Sequence, residues 1–272
     1  ISMSNKGCYI AGGGSDLYLC YSDIKVPAIG AAGGAHPTGV NAANAGAAGT
    51  DGKCGGGGSG GYRGGAGATG GVGSQVAKQV SASGAVVFLT GQNSVKLADV
   101  ALEAGIPQTR CFQMDITNET SVNQTILQVL LQTPVINILI NATGIGVIKT
   151  MDLLTSAEFE RTLQVNLMGA FYLVKAVLPN MKEQKKGLII NIPGVLGKVP
   201  MAGAAAYSAS KYGLVGMMQS IREELKRTEI RITNIFLGGI DSAFWDNIDL
   251  RVQRDKMIVA EEAAKAIWFL CQ

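Results

Sequence analysis

Three consecutive segments decide the fold: V-I-N-I-L-I-N (Val135–Asn141), S-A-E-F-E-R-T-L-Q-V-N-L-M-G-A-F-Y-L-V-K-A-V-L-P-N-M (Ser156–Met181) and G-L-I-I-N-I (Gly187–Ile192). Two short runs rich in Ile and Val flank a long stretch of helical period, and strand, helix, strand in that order is a parallel βαβ unit. Outward from it, Ala85–Thr90, Thr109–Met114 and Ile230–Phe236 read as further strands. The stretches Gly73–Ser83, Ser121–Leu131, Ala205–Arg227 and Ala260–Leu270 read as helices. The alternation predicts an α/β domain over residues 66–272 with a doubly wound parallel sheet, whose ligand crevice lies at the carboxyl ends of the strands.

Residues 1–65 have a different character. Of the 37 glycines, 23 fall in the first 73 residues, without helical or strand periodicity, which predicts a glycine-rich irregular segment. Its apolar patch, Leu17–Tyr21 and Ile24–Ile29, is expected to give one strand, shortened or kept to an edge by Pro27. That strand is needed. The turn G-A-G-A-T-G-G-V-G (Gly65–Gly73) carries Gly67, Gly71 and Gly73 before a helix, the arrangement that brings backbone N–H groups to a pyrophosphate, yet no apolar strand precedes it directly. The early patch is therefore expected to fill the centre of the sheet, beside Ala85–Thr90, through a long loop; the alternative is a sheet that lacks its middle.

A net charge of +3 with scattered lysines and arginines argues against a nucleic-acid partner, and no apolar run reaches the length of a membrane span. Val129–Ile148 comes nearest and is interrupted by Gln132, Pro134, Asn137 and Asn141. Five well-separated cysteines and a single histidine, His36, offer neither zinc-type spacing nor a His-based triad, and they suit a reducing, cytoplasmic compartment. The expected partner is a small molecule. The chain starts at Ile1 and ends at Gln272 directly after a helix, so a fragment or altered copy is expected, with one sheet edge unpaired.

Tyr207 and Lys211 stand four apart in Y-S-A-S-K at the start of a helix, so both side chains share one face. A lysine cation beside a phenol favours ionisation and suits acid/base work. Tyr and Lys at this spacing also occur by accident on many helices. With N-A-T-G (Asn141–Gly144) after a strand and V-N-L-M-G (Val165–Gly169) on a helix, in this order, the chain resembles the short-chain dehydrogenase/reductase family from about Ala66 to Gln272.

The resemblance implies a Rossmann-type fold and an oxidoreductase that interconverts a carbonyl and an alcohol. By that likeness Tyr207 exchanges the proton, Lys211 biases the phenol and holds the ribose, and Asn166 holds a relay water; a helix-bending amide satisfied by backbone is the plainer reading of Asn166. Asn141 and Gly144 would line the adenosine side, and Asp115 and Ile116 the adenine, with a helix cap as the alternative for Asp115. Gly238, Ile240 and Ser242 in L-G-G-I-D-S would meet the nicotinamide end. At the second strand's end, L-T-G-Q-N has Gly91 in place of an acid and Gln92 in place of a common arginine, with Lys96 nearby, so NADP is expected over NAD.

Gly194 occupies the place of the family's serine donor, thirteen residues before Tyr207. Loss of such a donor costs roughly 3 to 4 kcal/mol of transition-state stabilisation. Two readings therefore stand: an NADP(H)-dependent oxidoreductase, and a weak or inert nucleotide-binding relative that acts through subunit association. Val195, Leu196, Val199–Met201, Phe244 and Trp245 would form apolar substrate walls around Gly194, or else core or dimer contacts. The resemblance further implies a homodimer or homotetramer through Ser156–Met181 and Ala205–Arg227.

Overall fold

The computed structural model describes residues 16–19, 71–248 and 252–272. Gly67 lies outside them. The early strand β1 (Asp16–Leu19) is followed by α1 (Gly71–Ala82), β2 (Leu89–Gly91), α2 (Ser94–Glu103), β3 (Cys111–Gln113), α3 (Glu119–Gln132) and β4 (Ile138–Asn141). Then come α4 (Ser156–Leu163), a π-helical turn (Gln164–Met168), α5 (Gly169–Gln184), β5 (Lys186–Asn191), α6 (Ala205–Leu225) and β6 (Glu229–Leu237). Two short strands, β7 (Ile240–Asp241) and β8 (Ile258–Val259), precede α7 (Ala260–Leu270).

Every described strand pairing is parallel, and helices cover both sheet faces, so the fold is the expected Rossmann-type α/β. The period of two along β5 sorts its side chains: Ile189 faces the core formed with α3, α5 and α6, while Ile190 faces α1 and α7. On that second face Val72, Val76 and Val80, each one turn apart on α1, meet Ala263, Ala264 and Ile267 of α7. Gly84, at φ +85°, lets the chain leave α1, and its N–H bonds Ser81 O at 2.9 Å.

Three expectations need correction. The early strand does form, but beside β6, with Asp16 to Leu19 in register with Asn234 to Leu237. Among the described residues no strand lies beside β2 except β3, and β2–β3 is a two-stranded sheet apart from the order β1-β6-β5-β4. The edge of β6 is thus paired, contrary to expectation, and the centre is where no described strand stands. The second correction is α2, absent from the sequence reading. Asn93 caps it, accepting from Lys96 N at 3.0 Å, and Leu97, Val100 and Ala101 are its buried face. The third is the helix expected over Ser156–Met181, which the π turn divides.

Asn141, Asn191 and Asn234 lie in one register row across β4, β5 and β6, all buried. Asn141 Nδ2 donates to Asn191 Oδ1 at 3.2 Å. No helix among the described residues is long and apolar enough to cross a membrane. Because Ile189 is wholly buried between β5 and its covering helices, Ile189→Ala should cost about 2–5 kcal/mol. Urea unfolding should show a lower midpoint with an unchanged slope.

Candidate active site

Helix α6 begins at Ala205 after Ala204, which offers no side-chain cap, and its first turns carry Tyr207 and Lys211 toward the carboxyl ends of β4 and β5. Lys211 is 2% exposed. Its Nζ donates to the carbonyls of Thr143, at 3.3 Å, and Ile192, at 3.4 Å, and sits 5.5 Å from the Tyr207 ring centre. Desolvation lowers the lysine to about 8 and raises the phenol to about 12. Removing a charge from water disfavours the charged form of each, so both shifts have one cause of opposite sign. The phenol is therefore protonated at neutral pH.

Asn166 lies in the π turn, where its amide faces the segment after β4. Oδ1 accepts from Ile145 N at 2.8 Å, and Nδ2 donates to Ile145 O and to Ser210 Oγ, both at 2.9 Å. Both amide protons are thus engaged by protein. Two of its three bonds go to the backbone of Ile145 and the third to the Ser210 hydroxyl.

The expected apolar walls come together. Val195, Met201, Tyr207, Phe244 and Trp245 pack in one cluster around Ile148, Leu196, Ala204 and Ile248. The Tyr207 and Phe244 rings stand 6.1 Å apart, and Phe244 meets Trp245 edge-on at 5.0 Å. Arg254 fastens this loop: its Nε pairs with Asp241 at 3.0 Å, and its Nη2 with Asp246 at 2.9 Å and with the Ser242 carbonyl. Ion pairs this exposed contribute modestly. Two contacts behind Tyr207 are more enclosed. Lys149 N donates to Gly203 O at 2.7 Å, and Lys149 Nζ meets Glu158 Oε1 at 2.6 Å, next to the Thr155–Glu158 capping box that starts α4.

The cofactor residues divide. A Cβ at Gly71 would fall 2.7 Å from Ser242 Cβ, so the start of α1 and the loop holding Gly238, Ile240 and Ser242 adjoin. A Cβ at Gly144 would lie 3.0 Å from Lys211 Nζ, and one at Gly146 would lie 2.4 Å from Phe244 Cζ. The strand end is therefore bare backbone beside the lysine. Gln92, at the end of β2, has a buried Oε1 with no hydrogen-bond partner. The space beside Gly71 and Gly144 is taken by Ser242 and Lys211, so the unsatisfied polar atom at Gln92 is the feature that fits a dinucleotide lying across the strand ends. Gly73 lies within α1, one residue before Ser74, whose hydroxyl bonds Gly71 O at 3.0 Å.

Other residues are turned inward. Asn141 uses its amide on Asn191 and on Thr143 N at 3.2 Å, and its carbonyl accepts from Ile192 N at 3.3 Å. Ile116 is core, with its side chain against Gly169. Asp115 Oδ1 accepts from Thr117 N at 2.9 Å and Thr117 Oγ1 at 2.7 Å, a local turn, while the cap of α3 is Asn118. Sequence reasoning also passed over Asn191 and Ser210. Each stood in a motif already quoted, but hydroxyl and amide pairing across strands leaves no local periodic signal.

Gly194 has φ +72° and ψ 171°, a region essentially reserved for glycine. The serine of the family pattern is therefore missing together with the backbone conformation that would present it. A Cβ there would meet only Leu237 O, at 3.6 Å, so the obstacle is torsional and not steric.

A family model described as short chain dehydrogenase matches residues 66–252. The chain is 27% identical over 200 residues to a protein of Staphylococcus epidermidis named as an uncharacterized oxidoreductase, which covers 74% of this chain and 86% of the relative. Among solved structures it is similar to a serine dehydrogenase from Escherichia coli, with TM-score 0.66 and 25% identity over 75% of this chain and 87% of the other. A metagenomic short-chain oxidoreductase in complex with NADP matches at TM-score 0.64 and 28% identity, with the same two coverages.

Putting a side chain on the strained position should be unfavourable. Gly194→Ala and Gly194→Ser are each expected to lose about 1–3 kcal/mol, read as a lower melting temperature. An unchanged melting temperature for both would show that the turn does not need its positive φ.

Proposed function

The chain belongs to the short-chain dehydrogenase family, as the match over residues 66–252 establishes, and from that premise we propose that it reduces a hydrophobic ketone or aldehyde with NADPH. The observation that carries the reading is the half-buried Tyr207 phenol, with Lys211 Nζ 5.5 Å from its ring and Phe244 and Trp245 forming an apolar wall. The chemistry that a bound nicotinamide supplies is a hydride to the carbonyl carbon. Tyr207 donates its proton to the carbonyl oxygen, so the product is an alcohol and the phenolate is left to be reprotonated. The Lys211 ammonium stabilises that phenolate and holds the ribose hydroxyls. Phe244, Trp245, Val195 and Met201 bind the substrate's apolar part and exclude water.

For the 2′-phosphate, the end of β2 and the start of α2 carry Gly91, Gln92, Asn93 and Lys96, with no acidic residue in the first turn of α2. A helix N-terminus and a lysine attract a phosphate that a carboxylate would repel. The relative in complex with NADP agrees with this choice. A second reading, a nucleotide-binding relative with little turnover that acts through subunit association, draws its support from Gly194, where the usual donor is lacking.

NADPH oxidation with a panel of hydrophobic carbonyls separates the two. Measurable turnover that falls about 10²- to 10⁴-fold in Tyr207→Phe is expected; NADPH binding without any turnover would favour the second reading. NADPH should bind more tightly than NADH, and the reverse order would remove the phosphate assignment. The pH profile has a definite sign. Lys211 loses its proton as pH rises through about 8, so kcat/KM for reduction should be level at lower pH and decline above that point. Lys211→Met should be slow at all pH values and lack the decline.

A further inference from the structure

Ser210 stands in Y-S-A-S-K between the two residues just assigned, and its hydroxyl has no task in the chemistry above. It is wholly buried. The hydroxyl accepts from Asn166 Nδ2 at 2.9 Å and donates to the Tyr207 carbonyl at 2.7 Å. Asn166 in turn grips both backbone groups of Ile145. Three segments distant in sequence are thus joined in one chain of hydrogen bonds: the turn after β4, the π turn between α4 and α5, and the first turn of α6.

Two local features make this chain consequential. Ala204 gives α6 no capping side chain, so Ser210 is the side chain that ties the tyrosine's turn from within. The π turn interrupts the regular bonding of its helix, and Asn166 needs an acceptor for its second amide proton in a site without access to water. A hydroxyl serves both needs because it accepts and donates at once. Alanine serves neither.

We propose that Ser210 is a positioning residue, coupling the Asn166 turn to the first turn of α6 and thereby setting where the Tyr207 phenol stands relative to Gly144 and Ile145. The proposal rests on the oxidoreductase reading of Tyr207. Its effect belongs to kcat, because the hydroxyl touches neither the apolar wall nor the start of α1, while a small displacement of a reacting group slows chemistry steeply.

The test compares Ser210→Ala and Ser210→Thr with the parent in the full chain. It follows NADPH affinity, steady-state reduction, and hydrogen exchange of the Ile145 amide, whose acceptor is Asn166 Oδ1. In Ser210→Ala, affinity for NADPH and KM for the carbonyl should hold, kcat should fall by about tenfold to a hundredfold, and exchange at Ile145 should quicken. Ser210→Thr, which keeps the hydroxyl, should recover most of kcat. Unchanged kcat and unchanged exchange in Ser210→Ala would overturn the proposal, as would a fall in kcat that Ser210→Thr does not relieve. Should Ser210→Ala fail to fold, Ser210→Cys, similar in size but a poor hydrogen-bonding group, takes its place with the same expected losses. A parent chain with no turnover would defeat the oxidoreductase reading instead, and exchange at Ile145 would then decide the coupling by itself.

Discussion

The burial of one ammonium group constrains the rest of the molecule. Lys211 stands out of water at the carboxyl ends of β4 and β5, held by the carbonyls of Thr143 and Ile192. An unpaired charge there would cost several kcal/mol, so these carbonyls have to lie where they do. Satisfying the lysine therefore fixes the seat of α6 on the sheet, and with it the tyrosine one turn earlier. Burial brings the lysine's proton affinity down toward neutrality and pushes the phenol's up.

Around that pair the chain divides its labour by residue chemistry. Glycines at 71 and 144 let Ser242 and Lys211 pack closely against the backbone, and aromatic rings at 244 and 245 close the apolar side. Polar contacts with Ile145 and Gly203 hold the surrounding backbone from behind. Few of these contacts are ionic. The exposed Arg254 pairs fasten only the outer loop, where screening is strongest.

The elements legible in the sequence were those with a strong period: β4, β5, β6, α6 and α7 stand close to where alternation and helical spacing put them. The Tyr207 to Lys211 pairing was legible for the same reason, since a separation of four defines a helix face. Boundaries suffered where tertiary contacts override local preference: β2 and β3 run for three residues each. Helix α2 was readable in principle from Asn93 and the spacing of Leu97, Val100 and Ala101, but its short apolar stripe was passed over. The side of the sheet chosen by β1 was not readable, because a parallel strand carries no mark of its neighbour. Gly194 looked like a lost hydroxyl, and its positive φ is a backbone property that composition does not encode.

The asparagine row of the central strands has a consequence for assembly of the sheet. Asn141, Asn191 and Asn234 share a face only when β4, β5 and β6 pair as they do, since side chains alternate sides at every residue. A slip of one position along β5 would carry the Asn191 amide into the aliphatic layer against α1 and α7, and would bring an isoleucine between two amides. Misaligned sheets are thus penalised twice over. The row therefore favours the native register over a slipped one where the flanking isoleucines and leucines are too alike to discriminate, with the Asn141–Asn191 bond as its paired contact.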